Sequence, residues 1–361
     1  MKNKLLKTSL IRTLFLFSFI IFADLLISSV TIKRNLLFPS LSKFGIPRQV
    51  CSLKTIYDAS SIYDKKESYL ITYERDENCY RSKEKNNNKK IVLTIGGSTT
   101  DQRFINEGET FQDLLDIYFE GKYDFINGGV DGQSSIGHLF SIQNWHSKAL
   151  NKFNNKVSDI IFYIGVNDQR LPTLNKKKIF EKTRFTRIIR DYLANNSYTY
   201  SQIKNVYFTK AFPKTFNIMA VHGKKFIPID KPKKGKVSIN NLSINGYKYL
   251  INDLLKETKK SFPNSKIHII QQQVPGCKFK NPIDFLDRHS KVHKEVCKNI
   301  GQVYLSINYA VGESKYGQYA TIYPMYLQSP IDDDGFYDFI HTNKKGSRQI
   351  AEYIFRELNF N

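Results

Sequence analysis

Residues 90–100 read Lys-Ile-Val-Leu-Thr-Ile-Gly-Gly-Ser-Thr-Thr, and this stretch decides the fold. The β-branched, apolar run over residues 90–95 predicts a buried strand, and the two glycines after it predict a tight turn. Strands without polar alternation are typical of a parallel sheet that helices cover on both faces. The turn would place Ser98 at the carboxyl end of its strand.

Similar apolar runs recur along the chain and alternate with segments of helical spacing. Further strands are predicted at residues 123–126, 159–164, 266–271 and 302–305. Helices are predicted at residues 107–119, 136–150, 242–258, 285–299 and 344–358. This alternation indicates an α/β fold with a parallel sheet, whose functional site lies at the carboxyl ends of the strands.

Three turns at these strand ends carry chemistry that suits acyl transfer. Ser98 follows two glycines, which expose a hydroxyl beside backbone N–H groups. Residues 127–132 supply the N–H of Gly132, and residues 165–168 supply the side-chain amide of Asn167. Taken singly, each turn has an ordinary structural interpretation instead: a helix cap at Ser98, a plain β-to-α turn at Gly132, and an Asx turn or helix cap at Asn167.

Asp338 and His341 form a fourth motif near the end of the chain. Their three-residue spacing lets both side chains reach one site from a single loop, with the carboxylate orienting an imidazole base. His289 and His293 have metal-ligand spacing on a predicted helix. Because no acidic third ligand accompanies them, a surface pair is the preferred interpretation and no metal site is predicted.

Taken in chain order, the four motifs resemble the sequence blocks of the SGNH hydrolase superfamily, also called GDSL esterases. The resemblance covers roughly residues 89–170 and 262–358. It implies a flavodoxin-like three-layer α/β/α sandwich with a parallel sheet, and hydrolysis or transfer of acyl groups. Gly97 stands where the family's Gly-Asp-Ser has Asp, and the Gly-Gly-Ser-Thr form resembles a branch that is often membrane-tethered and exported.

The resemblance implies roles for five residues. Ser98 is expected as the nucleophile, with His341 as the base and Asp338 as the orienting carboxylate. The oxyanion hole is expected from the backbone N–H groups of Ser98 and Gly132 and from the Asn167 amide. Neither a cofactor nor a metal ion is expected.

The N-terminal segment, residues 1–34, predicts membrane attachment. Basic residues precede an apolar run of 19 residues, 14–32, which is long enough to span a bilayer as one transmembrane helix. The early positive charge predicts a cytoplasmic N-terminus and an extracytoplasmic domain. Asp24 weakens the run. A cleaved signal peptide is the alternative, but residues 28–30 show no convincing cleavage site, so a retained anchor is preferred.

The remaining chain divides into a stalk or cap segment, residues 35–88, and a hydrolase domain, residues 89–361. A basic insert, residues 171–240, interrupts that domain with 16 Lys and Arg against three Asp and Glu. Such a long insert is either a solvated loop, which is the preferred interpretation, or a cap that gates the site or touches anionic lipid or polysaccharide.

The net charge of +22 leaves an anionic membrane surface, nucleic acid or compositional bias as explanations. No nucleic-acid motif accompanies the basic residues, so no nucleic-acid partner is expected.

The four cysteines fit an exported chain with disulfides. Proximity along the chain favours Cys51–Cys79 and Cys277–Cys297, which is one of three pairings. Four unpaired thiols are the alternative.

The leading hypothesis is a serine esterase that acts on an O-acyl ester, such as an acetylated cell-envelope glycan or lipid. An O-acyltransferase on a polysaccharide uses the same residues and differs only in the acceptor. A non-catalytic glycan-binding protein on the same scaffold is a third interpretation, since a fold does not determine a function. The substrate and the oligomeric state stay open.

Overall fold

The computed structural model describes most of the chain outside the basic insert. The described residues are 2–31, 51–60, 67–81, 88–170, 244–282, 285–287, 291–338 and 340–358, with residues 44, 46, 49, 62, 63, 189, 193, 197, 199, 200 and 203. Most of the predicted insert, residues 171–240, therefore lies outside the described residues, and so does His289, one of the two histidines considered as a metal pair.

The elements are numbered here in chain order. The strands are β1 Leu53–Asp58, β2 Leu70–Arg75, β3 Lys90–Gly96, β4 Tyr123–Asn127, β5 Val157–Ile164, β6 Lys266–Gln271, β7 Cys277–Phe279, β8 Phe285–Asp287 and β9 Ala320–Tyr323. The helices are α1 Lys2–Thr31, α2 Ser98–Asp101, α3 Phe111–Tyr118, α4 Ser135–Ser141, α5 Ser147–Ala149, α6 Ile244–Ser261, α7 Lys291–Glu313, α8 Met325–Gln328 and α9 Lys344–Glu357. A π-helical turn, Ile142–His146, joins α4 to α5.

Five parallel strands form the central sheet in the order β4-β3-β5-β6-β9. Numbered by their own succession along the chain, these strands run 2-1-3-4-5, which is a doubly wound order. The predicted parallel sheet is confirmed. In this topology β4 and β5 lie on opposite sides of β3, so the strand order reverses there. The crevice between the carboxyl ends of β3 and β5 is therefore the expected place for a ligand.

Helices cover both faces of the sheet, because successive side chains of a strand point to opposite sides. Ile91, Leu93 and Ile95 of β3 join a core with α4, α6 and α7. Val92, between them, joins a second core with α3 and α9. The result is three layers, with the sheet buried in the middle.

The predicted fifth strand over residues 302–305 is wrong, since these residues lie inside α7. The buried side chains of α7 follow helical spacing: Ile300, Val303, Tyr304, Ile307 and Ala310. The adjacent apolar residues Val303 and Tyr304 fit both the helical and the strand pattern, so this short run does not distinguish a helix from a strand. The fifth strand is β9, a short edge strand whose side chains are only partly buried and whose apolar signal is therefore weak. The predicted helix over residues 285–299 likewise begins later, at Lys291, after β8.

Both disulfides favoured by proximity form. Cys51–Cys79 closes the segment that contains the antiparallel hairpin β1–β2. Cys277–Cys297 joins β7 to α7. The hairpin also packs: Ala59, Ile71 and Tyr73 are fully buried in a small core beside the main sheet.

The N-terminal helix α1 extends over 30 residues. Among the residues described, no helix is both long and apolar enough to cross a membrane, so the predicted transmembrane helix over residues 14–32 is not supported. The carboxylate of Asp24, inside that run, accepts a hydrogen bond from the Thr199 N–H at 2.7 Å.

The burial pattern of α7 generates a stability prediction. Ile307→Ala should lower the free energy of unfolding by about 2–5 kcal/mol, because it opens a cavity in the main core. Lys298→Ala, on the exposed side of the same helix, should change it by less than about 0.5 kcal/mol. Urea denaturation measures both, and equal effects at the two positions would contradict the packing of α7 described above.

Candidate active site

Three of the predicted site residues follow neighbouring strands of the sheet. Ser98 is the first residue of α2, directly after β3 and Gly97. Gly132 lies in the loop after β4, and Asn167 lies in the 3₁₀ turn after β5. Because parallel strands end at one edge of a sheet, these residues converge on the crevice between β3 and β5.

The structure brings the three residues of the expected triad into one hydrogen-bonded chain. His341 Nε2 lies 2.7 Å from Ser98 Oγ, across 243 positions of sequence. His341 Nδ1 lies 2.7 Å from Asp338 Oδ2. The side chains of His341 and Asp338 are each 27% exposed, so solutes can reach the chain of hydrogen bonds.

Backbone groups of the same loop hold the Asp338 carboxylate in place. Its Oδ1 accepts the N–H groups of Ile340 at 2.8 Å and His341 at 2.7 Å. Burial acts to raise the pKa of Asp338, but the hydrogen bond and charge of His341 outweigh it and keep that pKa below its usual value. Asp338 is therefore ionised and accepts a hydrogen bond from the Nδ1–H of His341, which leaves the Nε2 lone pair facing Ser98.

The charges around His341 favour its protonated form. Burial acts to lower the pKa of His341, but the hydrogen bond and charge of Asp338, with the charge of Asp131, raise it above the usual value. The positive charge of Arg103 opposes this rise. The imidazole is thus a strengthened base that can hold a proton taken from Ser98.

Three groups are expected as oxyanion donors, and among the described residues each has an N–H that is free to bind a ligand. The N–H groups of Ser98 and Gly132 donate no hydrogen bond within the described part of the chain. Gly132 has a φ of +67°, a left-handed conformation that glycine adopts without strain. The Asn167 amide donates one hydrogen bond to the Gln133 carbonyl at 2.9 Å, which orients the side chain and leaves its second N–H for a ligand.

The space around Gly97 is closely filled by its neighbours. A Cβ atom on Gly97 would lie 2.2 Å from Asn167 Nδ2 and 3.1 Å from the Gln133 carbonyl oxygen. Gly96 is equally confined, because its Cβ would lie 2.0 Å from Thr100 Oγ1. The asparagine amide occupies the room that a side chain at position 97 would need.

Asp168 connects the loop after β5 to two helices. Its carboxylate accepts the N–H of Ser135 at 2.7 Å and the hydroxyl of Ser135 at 2.6 Å. It also accepts the hydroxyl of Tyr247 at 2.6 Å. Burial raises the pKa of Asp168, against the lowering effect of these hydrogen bonds. The network fixes Asn167, the preceding residue, relative to the first residue of α4.

The sequence interpretation missed several residues that surround the triad. The Tyr337 ring stacks on the His341 ring, with centroids 5.6 Å apart and planes 10° apart. The Tyr337 N–H donates to the His341 carbonyl at 3.0 Å. Buried Arg75 and Arg81 approach α2 from the predicted stalk or cap segment. Aromatic and basic residues are common throughout the chain, so no local signal distinguished these.

No protein-family model matches the chain, and no curated protein matches it. Solved structures that resemble it include TesA, with 9% identity, a TM-score of 0.42, and coverage of 74% of this chain and 97% of that one. The psychrotrophic esterase EstA from Pseudoalteromonas sp. has 11% identity and a TM-score of 0.40, with coverage of 74% of this chain and 96% of that one. AlinE4, an SGNH-hydrolase family esterase, has 14% identity and a TM-score of 0.37, with coverage of 75% of this chain and 96% of that one.

The site geometry predicts how the reactivity of Ser98 depends on pH. Protonated His341 cannot accept the serine proton, so labelling of Ser98 by a fluorophosphonate should fall as the pH drops through the His341 pKa. The midpoint should lie above about 6.5, the ordinary value for histidine, because Asp338 raises this pKa. Asp338→Asn should move the midpoint to lower pH and slow labelling by up to about 10⁴-fold.

Asp333→Asn is the matched control, since Asp333 is an exposed carboxylate on the same loop. It should change neither the midpoint nor the rate. An unmoved midpoint in Asp338→Asn would show that Asp338 does not set the basicity of His341.

Proposed function

We propose that this protein is a serine esterase of the SGNH type, with Ser98, His341 and Asp338 as its triad. The observation that carries the proposal is the pair of 2.7 Å contacts that joins hydroxyl, imidazole and carboxylate in one line. A serine hydroxyl becomes a nucleophile when a base accepts its proton and a third group orients that base.

In the proposed reaction, His341 takes the Ser98 proton while Ser98 Oγ attacks the ester carbonyl. Asp338 stabilises the imidazolium that forms. The N–H groups of Ser98 and Gly132 and the Asn167 amide bind the negative oxygen of the tetrahedral intermediate. Collapse of the intermediate releases the alcohol, which takes the proton from His341. Water then attacks the acyl-enzyme by the same route and releases the carboxylic acid and free Ser98.

The proposed substrate is an O-acyl ester carried by a cell-envelope glycan or lipid. The partial exposure of His341 and Asp338 supports it, because an ester attached to a large molecule needs an open site. The two disulfides also support it, because disulfides persist in oxidising compartments outside the cytoplasm.

The same proposal places the domain on the extracytoplasmic side of a membrane, attached through α1. Large apolar side chains on α1 support this placement, since they face solvent in the isolated chain. Phe15 is 75% exposed, and Phe17 and Phe22 are each 65% exposed. Contact with lipid would remove this apolar surface from water.

Replacing the nucleophile tests the activity. Ser98→Ala should lower kcat for 4-nitrophenyl acetate by at least about 10⁴-fold, because the proposed acyl-enzyme forms on the Ser98 hydroxyl. A fluorophosphonate should label the wild-type protein at Ser98 and leave this variant unlabelled. Ser147→Ala makes the same chemical change on α5 and should behave as wild type.

Unchanged hydrolysis by Ser98→Ala would eliminate the proposal, and a wild-type protein that takes no label would point to a binding protein. A chase of the acyl-enzyme then identifies the acceptor. Discharge by water supports an esterase, whereas discharge by an oligosaccharide hydroxyl but not by water would replace hydrolysis with acyl transfer.

Fractionation of cells that express the full chain tests the placement. The protein should pellet with membranes, and its cysteines should react with a maleimide only after reduction. Replacing Phe15, Phe17 and Phe22 by Ser should release it from the pellet. Ile56→Ser, at a position 56% exposed on β1, should not. A cytosolic chain with four reactive thiols would contradict the placement.

A further inference from the structure

Ser98, the proposed nucleophile, lies on a helix that is too short to be stable by itself. The helix α2 has only four residues, Ser98–Asp101, and ends at Gln102 in a left-handed conformation with φ of +49°. A single helical turn is unstable alone, and the carbonyl groups at its end lack partners within the helix. The position of Ser98 therefore depends on groups from outside α2.

Arg75, at the end of β2, supplies the first of these groups. It is only 3% exposed. Its Nη2 donates to Asp101 Oδ1 and to the Gly129 carbonyl, both at 2.6 Å. Its Nη1 donates to the Cys79 carbonyl at 2.6 Å, and its Nε donates to the Tyr73 hydroxyl at 2.6 Å. A planar guanidinium can reach all four acceptors because its donors diverge in fixed directions.

Arg81, which is 2% exposed, supplies the second group. Its Nη1 donates to the carbonyl of Asp101 at 2.7 Å and also to that of Gln102. Its Nη2 donates to the Ile105 carbonyl. Its Nε donates to Glu107 at 2.8 Å. Arg81 thus satisfies carbonyls at the C-terminal end of α2, where a positive charge also complements the local dipole.

Asp101 joins the two arginines to the nucleophile turn. It is fully buried, three residues after Ser98. Burial acts to raise the pKa of Asp101, but the charges of Arg75, Arg103 and Arg81 outweigh it and keep that pKa below its usual value. A buried ion pair adds little net stability compared with apolar packing, so its best-attested benefit is a fixed geometry.

We propose that Arg75 and Arg81 are positioning residues for the reaction at Ser98, and we call the pair the arginine clamp. The clamp fixes the backbone of α2 through Asp101. Through the Gly129 carbonyl it also fixes the loop that leads to Gly132. It thereby sets the nucleophile and one oxyanion donor at their working separation. This inference rests on the proposed esterase function.

Arg75→Lys tests the clamp, because a lysine keeps the charge but cannot bond to four divergent acceptors. Fluorophosphonate titration first counts the active sites in each preparation. With 4-nitrophenyl acetate, kcat per titrated site should fall by about 10- to 100-fold, as expected when reacting groups are misplaced by around 1 Å. KM should stay within about threefold of wild type, because Arg75 is only 3% exposed and therefore not accessible to a bound ester.

Lys54→Met is the matched control, since Lys54 forms an exposed ion pair with Glu74 on the same hairpin. It should leave kcat per site and KM unchanged. If Arg75→Lys does not fold, Asp101→Asn is scored in the same way, because it keeps the side-chain volume while it removes the charge and replaces one acceptor oxygen with an amide donor.

A role in stability alone would give a different result. Arg75→Lys would then contain fewer titratable sites, each with wild-type kcat, and this outcome would overturn the proposal. Failure of the esterase function itself looks different again, because the wild-type protein would then have no titratable Ser98.

Discussion

The hydrogen bond between Ser98 Oγ and His341 Nε2 is the constraint on which the site depends, since it joins residues 243 positions apart. It forms only if the turn after β3 and the loop before α9 are both held at the same edge of the sheet. The strand order reverses at β3, because β4 lies on one side of it and β5 on the other, so a crevice at the carboxyl ends of β3 and β5 is open to both loops. The three packed layers therefore hold the two loops in the positions that this hydrogen bond requires.

Buried polar contacts hold the segments that directly follow β3 and β5 at that edge. Asp168 holds the loop after β5, with Ser135 and Tyr247 as its partners. Arg75 and Arg81 hold the turn after β3. These groups are costly to bury singly, and each is compensated by several hydrogen bonds. Rigidity at the site thus comes from satisfied polar groups rather than from the apolar cores alone.

Much of the sheet could be predicted from the chain alone, because long apolar runs report burial directly. Four of the five parallel strands lie where the pattern placed them. The prediction of the fifth strand is wrong for two reasons. The edge strand β9 is half-exposed and so has little apolar signal. The adjacent apolar residues Val303 and Tyr304 of α7 fit a strand pattern as well as a helical one. Four cysteines allow three disulfide pairings, and proximity along the chain favours the pairing that the structure contains.

The sequence by itself determined the strand-and-turn chemistry: the glycines before Ser98, the Asp338 and His341 spacing, and the alternation that dictates a parallel sheet. These features are local, so they can be identified from neighbouring residues. Only the tertiary structure decided that a hairpin arginine would meet Asp101, and that the Asn167 amide would take the space beside Gly97. Such contacts join segments that are distant in sequence. Because the residue types involved are common throughout the chain, no local sequence pattern predicts these contacts.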